Sequence, residues 1–193
     1  MPPSRLLLST CVFALLVAGC DRQSAPPAQP QETASAQPAE QLSGKLDRSF
    51  AGTAIPAVTV TDPEGAQLEL ADLAGKPALL NLWATWCAPC VVEMPMLDAL
   101  AAEMGDEVAI VTVSEDLTGA EAVKPFFEQR GFKNLPQWLD PDNGLVMSFG
   151  GDASLPLTVL YDAQGKEIWR VKGGYDWASP EARQQIAEAL KET

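Results

Sequence analysis

Residues 78–90 read Ala-Leu-Leu-Asn-Leu-Trp-Ala-Thr-Trp-Cys-Ala-Pro-Cys. The first six are apolar except for Asn81, a pattern typical of a strand buried on both faces. The two cysteines then fall at the start of a helix that we predict to extend to Met104. Unpaired N–H groups and the positive dipole end of a first helical turn stabilise a thiolate at Cys87. Cys90 lies three residues further on, so one thiol can attack a disulfide and the other can resolve the mixed disulfide.

Other interpretations of this cysteine pair are weaker. Half a zinc site would need two more soft ligands, and a disulfide ring this short would stabilise a fold very little. The chain has four cysteines, but Cys11 lies in a predicted signal segment and Cys20 at its predicted cleavage site. Cys87 and Cys90 therefore remain as the thiols available for chemistry, and the sequence does not predict a disulfide scaffold.

The N-terminus predicts an export signal over residues 1–19, because Arg5 precedes an apolar run that is too short to span a bilayer comfortably. The run ends in Leu16-Val17-Ala18-Gly19-Cys20, which resembles the lipobox of bacterial lipoproteins and predicts lipidation at Cys20. The alternatives are a plain secretory signal and an uncleaved anchor helix. Asp21 resembles an inner-membrane retention signal, so we expect the protein on the periplasmic face of the bacterial inner membrane, held by the lipid anchor only.

Composition separates a tether from a folded domain. Residues 20–45 consist mainly of Ala, Pro, Gln, Ser and Glu, and such a segment cannot bury enough apolar surface to fold. We therefore predict a lipidated, disordered tether over residues 20–45 and one folded domain over residues 46–193.

Charge and the absence of histidine exclude several function classes. The chain has 13 basic and 26 acidic residues and a net charge of -13, which disfavours binding to nucleic acid or to anionic lipid. It has no histidine, the usual general base of Cys-His catalysis and a common zinc or copper ligand. We expect a monomer without a metal site, and without a cofactor other than the redox-active pair Cys87-Cys90.

Short apolar runs alternate with helical patterns, which predicts an α/β fold. The predicted strands are Val58–Thr61 and Gln67–Leu70, joined as a hairpin, and Ala78–Trp83, Val108–Val113, Leu157–Tyr161 and Lys166–Lys172. The first predicted helix starts near Cys87 and stops with Gly105 in the C′ position, and the second starts at a capping box over Thr118–Glu121 and ends near Gly131. A short helical turn is predicted at Asn143–Phe149, and a last helix from the N-cap Ser179 to about Lys191.

Three motifs together resemble the TlpA/ResA branch of the thioredoxin-like proteins, with the TlpA type most similar. They are residues 81–90 followed by Glu93-Met94-Pro95, the segment Leu155-Pro156-Leu157-Thr158, and the stretch 173–179. The resemblance covers about residues 50–193. It implies a thioredoxin-like fold, in which helices flank a central mixed sheet and the hairpin forms an N-terminal extension.

The resemblance also implies where a substrate binds. Pro156 would have a cis peptide bond and face the dithiol, leaving the backbone of Leu155 as a strand edge for a substrate peptide. An ordinary trans proline at a strand start is the alternative. Gly173 would line the same groove, unless it only ends a strand. Trp86 would flank and shield the dithiol, whereas Trp83 and the other tryptophans are expected to pack in the core.

Glu93 is the third predicted catalytic residue. On a helix it shares a stripe with Cys90, Leu97, Leu100 and Met104, and this stripe should face the core. A partly desolvated carboxylate there would have a raised pKa and could take or return the Cys90 proton. Thioredoxins place a buried Asp under the dithiol where this chain has Asn81, and the resemblance implies that Glu93 fills that role. The alternative is a solvated glutamate in the first helical turn.

Ala88-Pro89 between the cysteines resembles the Gly-Pro of reducing thioredoxins, and no imidazolium is available to over-stabilise the thiolate, which predicts a reducing pair. The resemblance implies a CcdA- or DsbD-like membrane electron donor. It implies as substrates the disulfides of apocytochrome c, or the copper-site cysteines of cytochrome oxidase or its Sco-type chaperone. The alternatives are a DsbA-like thiol oxidase and a non-catalytic metallochaperone or binding lipoprotein.

Overall fold

The computed structural model describes residues 42–150 and 154–191. Its strands are β1 (Lys45–Asp47), β2 (Thr59–Thr61), β3 (Gln67–Glu69), β4 (Ala78–Trp83), β5 (Ala109–Ser114), β6 (Trp138–Leu139), β7 (Leu157–Tyr161) and β8 (Glu167–Lys172). Its helices are α1 (Ala88–Met104), α2 (Ala120–Arg130), α3 (Gly144–Ser148) and α4 (Pro180–Lys191), with a 3-10 turn at Leu70–Leu73. The predicted signal segment, Cys20 and most of the predicted tether lie outside the described residues.

One mixed sheet has the strand order β1-β8-β7-β4-β5-β6-β2-β3. The central pairs β4–β5 and β5–β6 are parallel, whereas β4 pairs with β7 in antiparallel orientation and β7 with β8 likewise. The hairpin β2–β3 joins the edge through Thr61 and Leu139. This is the thioredoxin-like fold that the sequence predicts, including its hairpin extension.

Two apolar layers cover the sheet, because side chains of a strand alternate between its faces. Leu79 and Trp83 of β4 belong to the cluster that contains the buried residues of α1, α2 and α4. Leu80 and Leu82 belong to the cluster on the opposite face, with Leu145 of α3. Every residue of β4 is buried, as its continuous apolar run predicts.

Two predicted helix ends are wrong in detail. Thr118 does not form a capping box: Gly119 is the N-cap of α2, with φ 54° and no side-chain hydrogen bond, because a tight turn precedes the helix. A positive φ of this kind favours glycine. Gly105 is the C-cap of α1 rather than C′, in right-handed conformation, because its N–H still donates to the Ala101 carbonyl. Gly131 does end α2 in the left-handed region, with φ 69°.

Two short strands were not predicted, because two or three residues show no periodicity. β1 pairs with the outer edge of β8, and it begins at Lys45, the last residue of the predicted tether. β6 continues the parallel part of the sheet beside β5. Leu70, predicted to end a strand, instead starts the 3-10 turn.

Candidate active site

The two cysteines lie where β4 leads into α1. Cys87 is the N-cap of α1 in extended conformation, and it is joined to Cys90 by a disulfide. The Cys90 backbone N–H points at the Cys87 sulfur, at 3.4 Å. The helix N-terminus therefore directs a donor at this sulfur, as the spacing predicts.

The two sulfurs differ in accessibility. Cys90 is fully buried, and Cys87 is 6% exposed. Cys87 is the more accessible of the pair, as predicted for the nucleophile, although little of it is exposed while its sulfur is bonded to Cys90.

Glu93 is completely buried on the stripe of α1 that faces the sheet, as the helical phase predicts. Its carboxylate accepts three hydrogen bonds from three different parts of the chain. Asn81 Nδ2 donates to Oε1 at 2.8 Å, the Tyr175 backbone N–H to Oε2 at 3.0 Å, and Trp177 Nε1 to Oε2 at 3.2 Å. Glu93 is therefore hydrogen-bonded to Asn81, the residue that stands where thioredoxins have a buried Asp. This proximity is needed if Glu93 takes over the role of that Asp.

Burial raises the pKa of Glu93 from 4.5 to about 7, although the hydrogen bonds from Tyr175, Asn81 and Trp177 act to lower it. A carboxyl group with a pKa near 7 exchanges its proton readily at neutral pH. Glu93 and Cys90 lie one helical turn apart on the same buried stripe of α1.

Three of the predicted substrate-binding residues come together around the start of β7: Leu155, Pro156 and Gly173. The Leu155–Pro156 peptide bond is cis, as predicted. The Gly173 backbone N–H donates to the Pro156 carbonyl at 2.9 Å, and Gly173 has φ 88°. Leu157 pairs with Leu82, so Pro156 lies at the edge of the sheet where β4 ends and the cysteine loop begins. Leu155 is half-buried and packs against both apolar layers.

The tryptophans behave differently from one another. Trp83 is buried in the core, as predicted, and its ring packs at a tilt against Phe126 and Phe127. Trp86 is 69% exposed, so most of its ring is open to solvent, and its place beside the dithiol stays a prediction. Trp177, predicted only to pack, also binds Glu93.

A second buried carboxylate, missed by the sequence interpretation, holds the loop before the cysteines. Asp116 accepts hydrogen bonds from the Thr85 backbone N–H at 2.9 Å and the Thr85 hydroxyl at 2.7 Å. Ser114 Oγ donates to the same carboxylate at 2.8 Å. Asp116 thereby fixes the residue that precedes Trp86. The position of an acidic residue just after a parallel strand, at the edge that carries the cysteines, was the available signal.

The described residues contain no group of three or more His, Cys, Asp or Glu side chains that could hold a metal ion. Within the same residues, no helix has the length and apolar character needed to cross a membrane.

Comparison with known proteins places this geometry in a family. The Redoxin family model matches residues 50–186. The thiol-disulfide oxidoreductase ResA of Bacillus thuringiensis subsp. konkukian is 34% identical over 148 residues, which are 76% of this chain and 80% of the relative.

Solved structures agree. A DsbE-type thiol:disulfide interchange protein from Chlorobium tepidum superposes with a TM-score of 0.62 and 26% identity, over 72% of this chain and 97% of the other. The exposed lipoprotein thioredoxin of Streptococcus pneumoniae has a TM-score of 0.57 and 27% identity, over 68% of this chain and 98% of the other.

Proposed function

Because the chain belongs to the Redoxin family and is a thiol-disulfide oxidoreductase of the ResA type, we propose that it works as a reductant of protein disulfides, with Cys87 as nucleophile and Cys90 as resolving thiol. The observation that carries the proposal is the disulfide at the N-terminus of α1 with the buried Glu93 one turn below it.

The proposed cycle begins with the reduced dithiol. The Cys87 thiolate attacks a substrate disulfide, which forms a mixed disulfide and releases one substrate sulfur as a thiolate that takes up a proton. Glu93 then accepts the Cys90 proton, and the Cys90 sulfur attacks Cys87. The bond to the substrate breaks, the second substrate thiol leaves with a proton, and the Cys87-Cys90 disulfide remains. The substrate has gained two electrons and two protons in total, as reduction of one disulfide requires.

The direction of electron flow is supported by Ala88-Pro89 and by the absence of histidine from the chain. Ala88-Pro89 does not stabilise the Cys87 thiolate strongly, and no imidazolium is available to do so. Because a less stable reduced form makes a stronger reductant, the pair should be reducing. A reductant in an oxidising compartment must be recharged, and we propose a CcdA- or DsbD-like membrane protein as the donor. A DsbA-like oxidase is the alternative, and a measured potential near or above roughly -150 mV would favour it.

As substrates we propose the disulfides of apocytochrome c, or the copper-site cysteines of an oxidase subunit or a Sco-type chaperone. Trp86, Leu155, Pro156 and Gly173 would contact the substrate backbone and the side chains beside its cysteine. The alternative of a metallochaperone or a non-catalytic binding lipoprotein predicts that replacing both cysteines with serine leaves partner binding unchanged.

Trapping the partner is the direct experiment. Cys90→Ser should accumulate a mixed disulfide through Cys87, since no thiol is left to resolve it, and mass spectrometry of the trapped species identifies the substrate. Cys87→Ser is the matched control and should trap nothing. Equal trapping by both variants, or trapping by neither, would contradict the assigned roles.

We also propose that the protein is lipidated at Cys20 and held at the periplasmic face of the inner membrane. The lipobox-like end of the apolar N-terminal run supports this, as does the likeness to a lipoprotein thioredoxin. Metabolic labelling with a radioactive fatty acid should mark the wild-type protein, and labelling of Cys20→Ser to the same level would exclude this site.

A further inference from the structure

The segment between β8 and α4 supplies two of the three donors to Glu93, although it lies more than eighty residues away in the chain. The backbone N–H of Tyr175 and the indole N–H of Trp177 both donate to Oε2, at 3.0 and 3.2 Å. The third donor, Asn81 Nδ2, binds Oε1 and also donates to Thr158 Oγ1 at 2.8 Å. All three donors are neutral, so they orient the carboxylate without cancelling its charge.

Trp177 is held firmly in its place. It is 1% exposed, its ring stacks on Trp169 with centroids 6.5 Å apart, and the Tyr175 ring meets it edge-on at 5.0 Å. A donor fixed by packing retains its direction when Glu93 gains or loses a proton, and such preorganisation is what an ionised group in a water-poor site needs.

From this geometry we propose that Trp177 is a positioning residue, whose indole N–H, together with the Tyr175 amide, fixes Glu93 Oε2 so that Oε1 is the oxygen that carries the transferred proton. A carboxylate has about four acceptor positions, two on each oxygen. Both positions on Oε2 are filled, whereas Oε1 accepts from Asn81 only. The proposal rests on the proposed function for the step in which Glu93 takes the Cys90 proton.

The other titratable groups around Glu93 are few. On α1 itself these are Cys87 and Cys90, which do not titrate while they form the disulfide. The β4 and β7 neighbours, Asn81 and Thr158, are neutral. The segment after β8 brings the Tyr175 hydroxyl, whose pKa is raised mainly by burial and further by Glu181 of α4 and Asp176. Within this site, Glu93 is therefore the group whose titration near neutral pH we expect in the oxidised protein, and a carboxyl signal assigned to Glu93 distinguishes it from the distant Glu115.

Trp177→Phe removes the N–H but keeps an aromatic ring. Trp169→Phe is the matched control, because Trp169 is equally buried and stacked, but its Nε1 has no hydrogen-bond partner among the described residues. The measurement is the carbon-13 chemical shift of the Glu93 carboxyl group against pH in the oxidised protein. Losing one donor to a charged acceptor should favour the protonated form about tenfold, which moves the midpoint up by about one pH unit. Trp169→Phe should leave it in place.

A second measurement starts from the wild-type protein, so its main result does not require Trp177→Phe to fold. The indole N–H shift of Trp177 should follow the same midpoint as the Glu93 carboxyl group, and this pH dependence should vanish in Glu93→Gln. An unmoved midpoint in Trp177→Phe, an equal move in Trp169→Phe, or an indole shift that ignores Glu93 would overturn the proposal.

Turnover then separates the two proposals. If the carboxyl midpoint moves in Trp177→Phe and the pH profile of substrate release moves with it, both proposals hold. If the midpoint moves but the release profile does not, the hydrogen-bond assignment stands and the catalytic role of Glu93 fails.

Discussion

Two buried glutamates in this molecule have pKa values raised mainly by burial, but the groups around them act in opposite directions. Burial raises the pKa of Glu93 to about 7, against three hydrogen bonds that act to lower it. Burial also raises the pKa of Glu115, just after β5, to about 8, and there the nearby Asp140 charge raises it further. Neither Glu115 side-chain oxygen accepts a well-formed hydrogen bond from a described residue, although the Val146 backbone N–H and the Asn143 side chain act to lower its pKa.

The neighbours of each glutamate determine which protonation states it can take. Two carboxylates cannot hydrogen-bond to each other, but one added proton turns Glu115 into a donor for Asp140. Glu115 is therefore held as a neutral acid at neutral pH, which suits a structural role. Glu93 has three donors and, among the described residues, no carboxylate that raises its pKa, so both of its protonation states are accessible, which suits proton transfer.

Glu93→Gln should produce the largest effect, because it removes the proton acceptor while keeping the shape and the buried position. Release of substrate from the mixed disulfide should slow about a hundredfold at neutral pH, the range of general base catalysis. Stopped-flow measurement of single-turnover release against pH gives the result. The attack by Cys87 should change much less, and an equal loss in both steps, or unchanged release across the pH range, would contradict the role.

Glu115→Gln should change stability rather than catalysis. The folded pKa of Glu115 lies above its unfolded value, so the folded state holds a proton that the unfolded state releases, and stability falls as pH rises from about 4.5 to about 8. The variant lacks this loss and should be more stable than wild type at pH 8, by about 1–3 kcal/mol. Urea unfolding at several pH values, with substrate release as a control, tests this. A stability difference that does not depend on pH would contradict it.

Asp140→Asn should have the smallest effect of the three. It removes the Asp140 charge, which raises the pKa of Glu115 together with burial, so this pKa should fall by about one pH unit. The free energy of unfolding should then fall over a narrower pH range. Glu115→Gln should also stabilise the Asp140→Asn protein less than it stabilises the wild type. The Asp140 carboxylate also accepts the Leu145 N–H at 2.6 Å, so an unchanged α3 must be checked by circular dichroism. If the pH midpoint of the Glu115 titration does not change in this variant, Glu115 and Asp140 are not electrostatically coupled.

Much of the site is encoded locally. A strand buried on both faces, followed by Cys-x-x-Cys, predicts the position of the dithiol, because each part depends on residues a few positions apart. The period of a helix likewise predicts that Glu93 faces the core with Cys90. The cis bond at Pro156 came from the family resemblance rather than from the local pattern.

The rest depends on contacts between distant segments. Periodicity tells which face of its own element a residue occupies, but not what lies across from it. The missed roles of Trp177, Tyr175 and Asp116 are all of this kind, since each binds a residue on another element. The short strands β1 and β6 were missed for the same reason, because they exist only through pairing.

Local spacing and the cost of exposing apolar surface are enough to predict the thiol chemistry, the fold class and the burial of Glu93. The donors to Glu93 and the Asp140 charge beside Glu115 come from distant segments of the chain, so they are known only from the folded structure. The energy of a buried charge is set by the few groups in direct contact with it, and the order of the strands determines which groups those are.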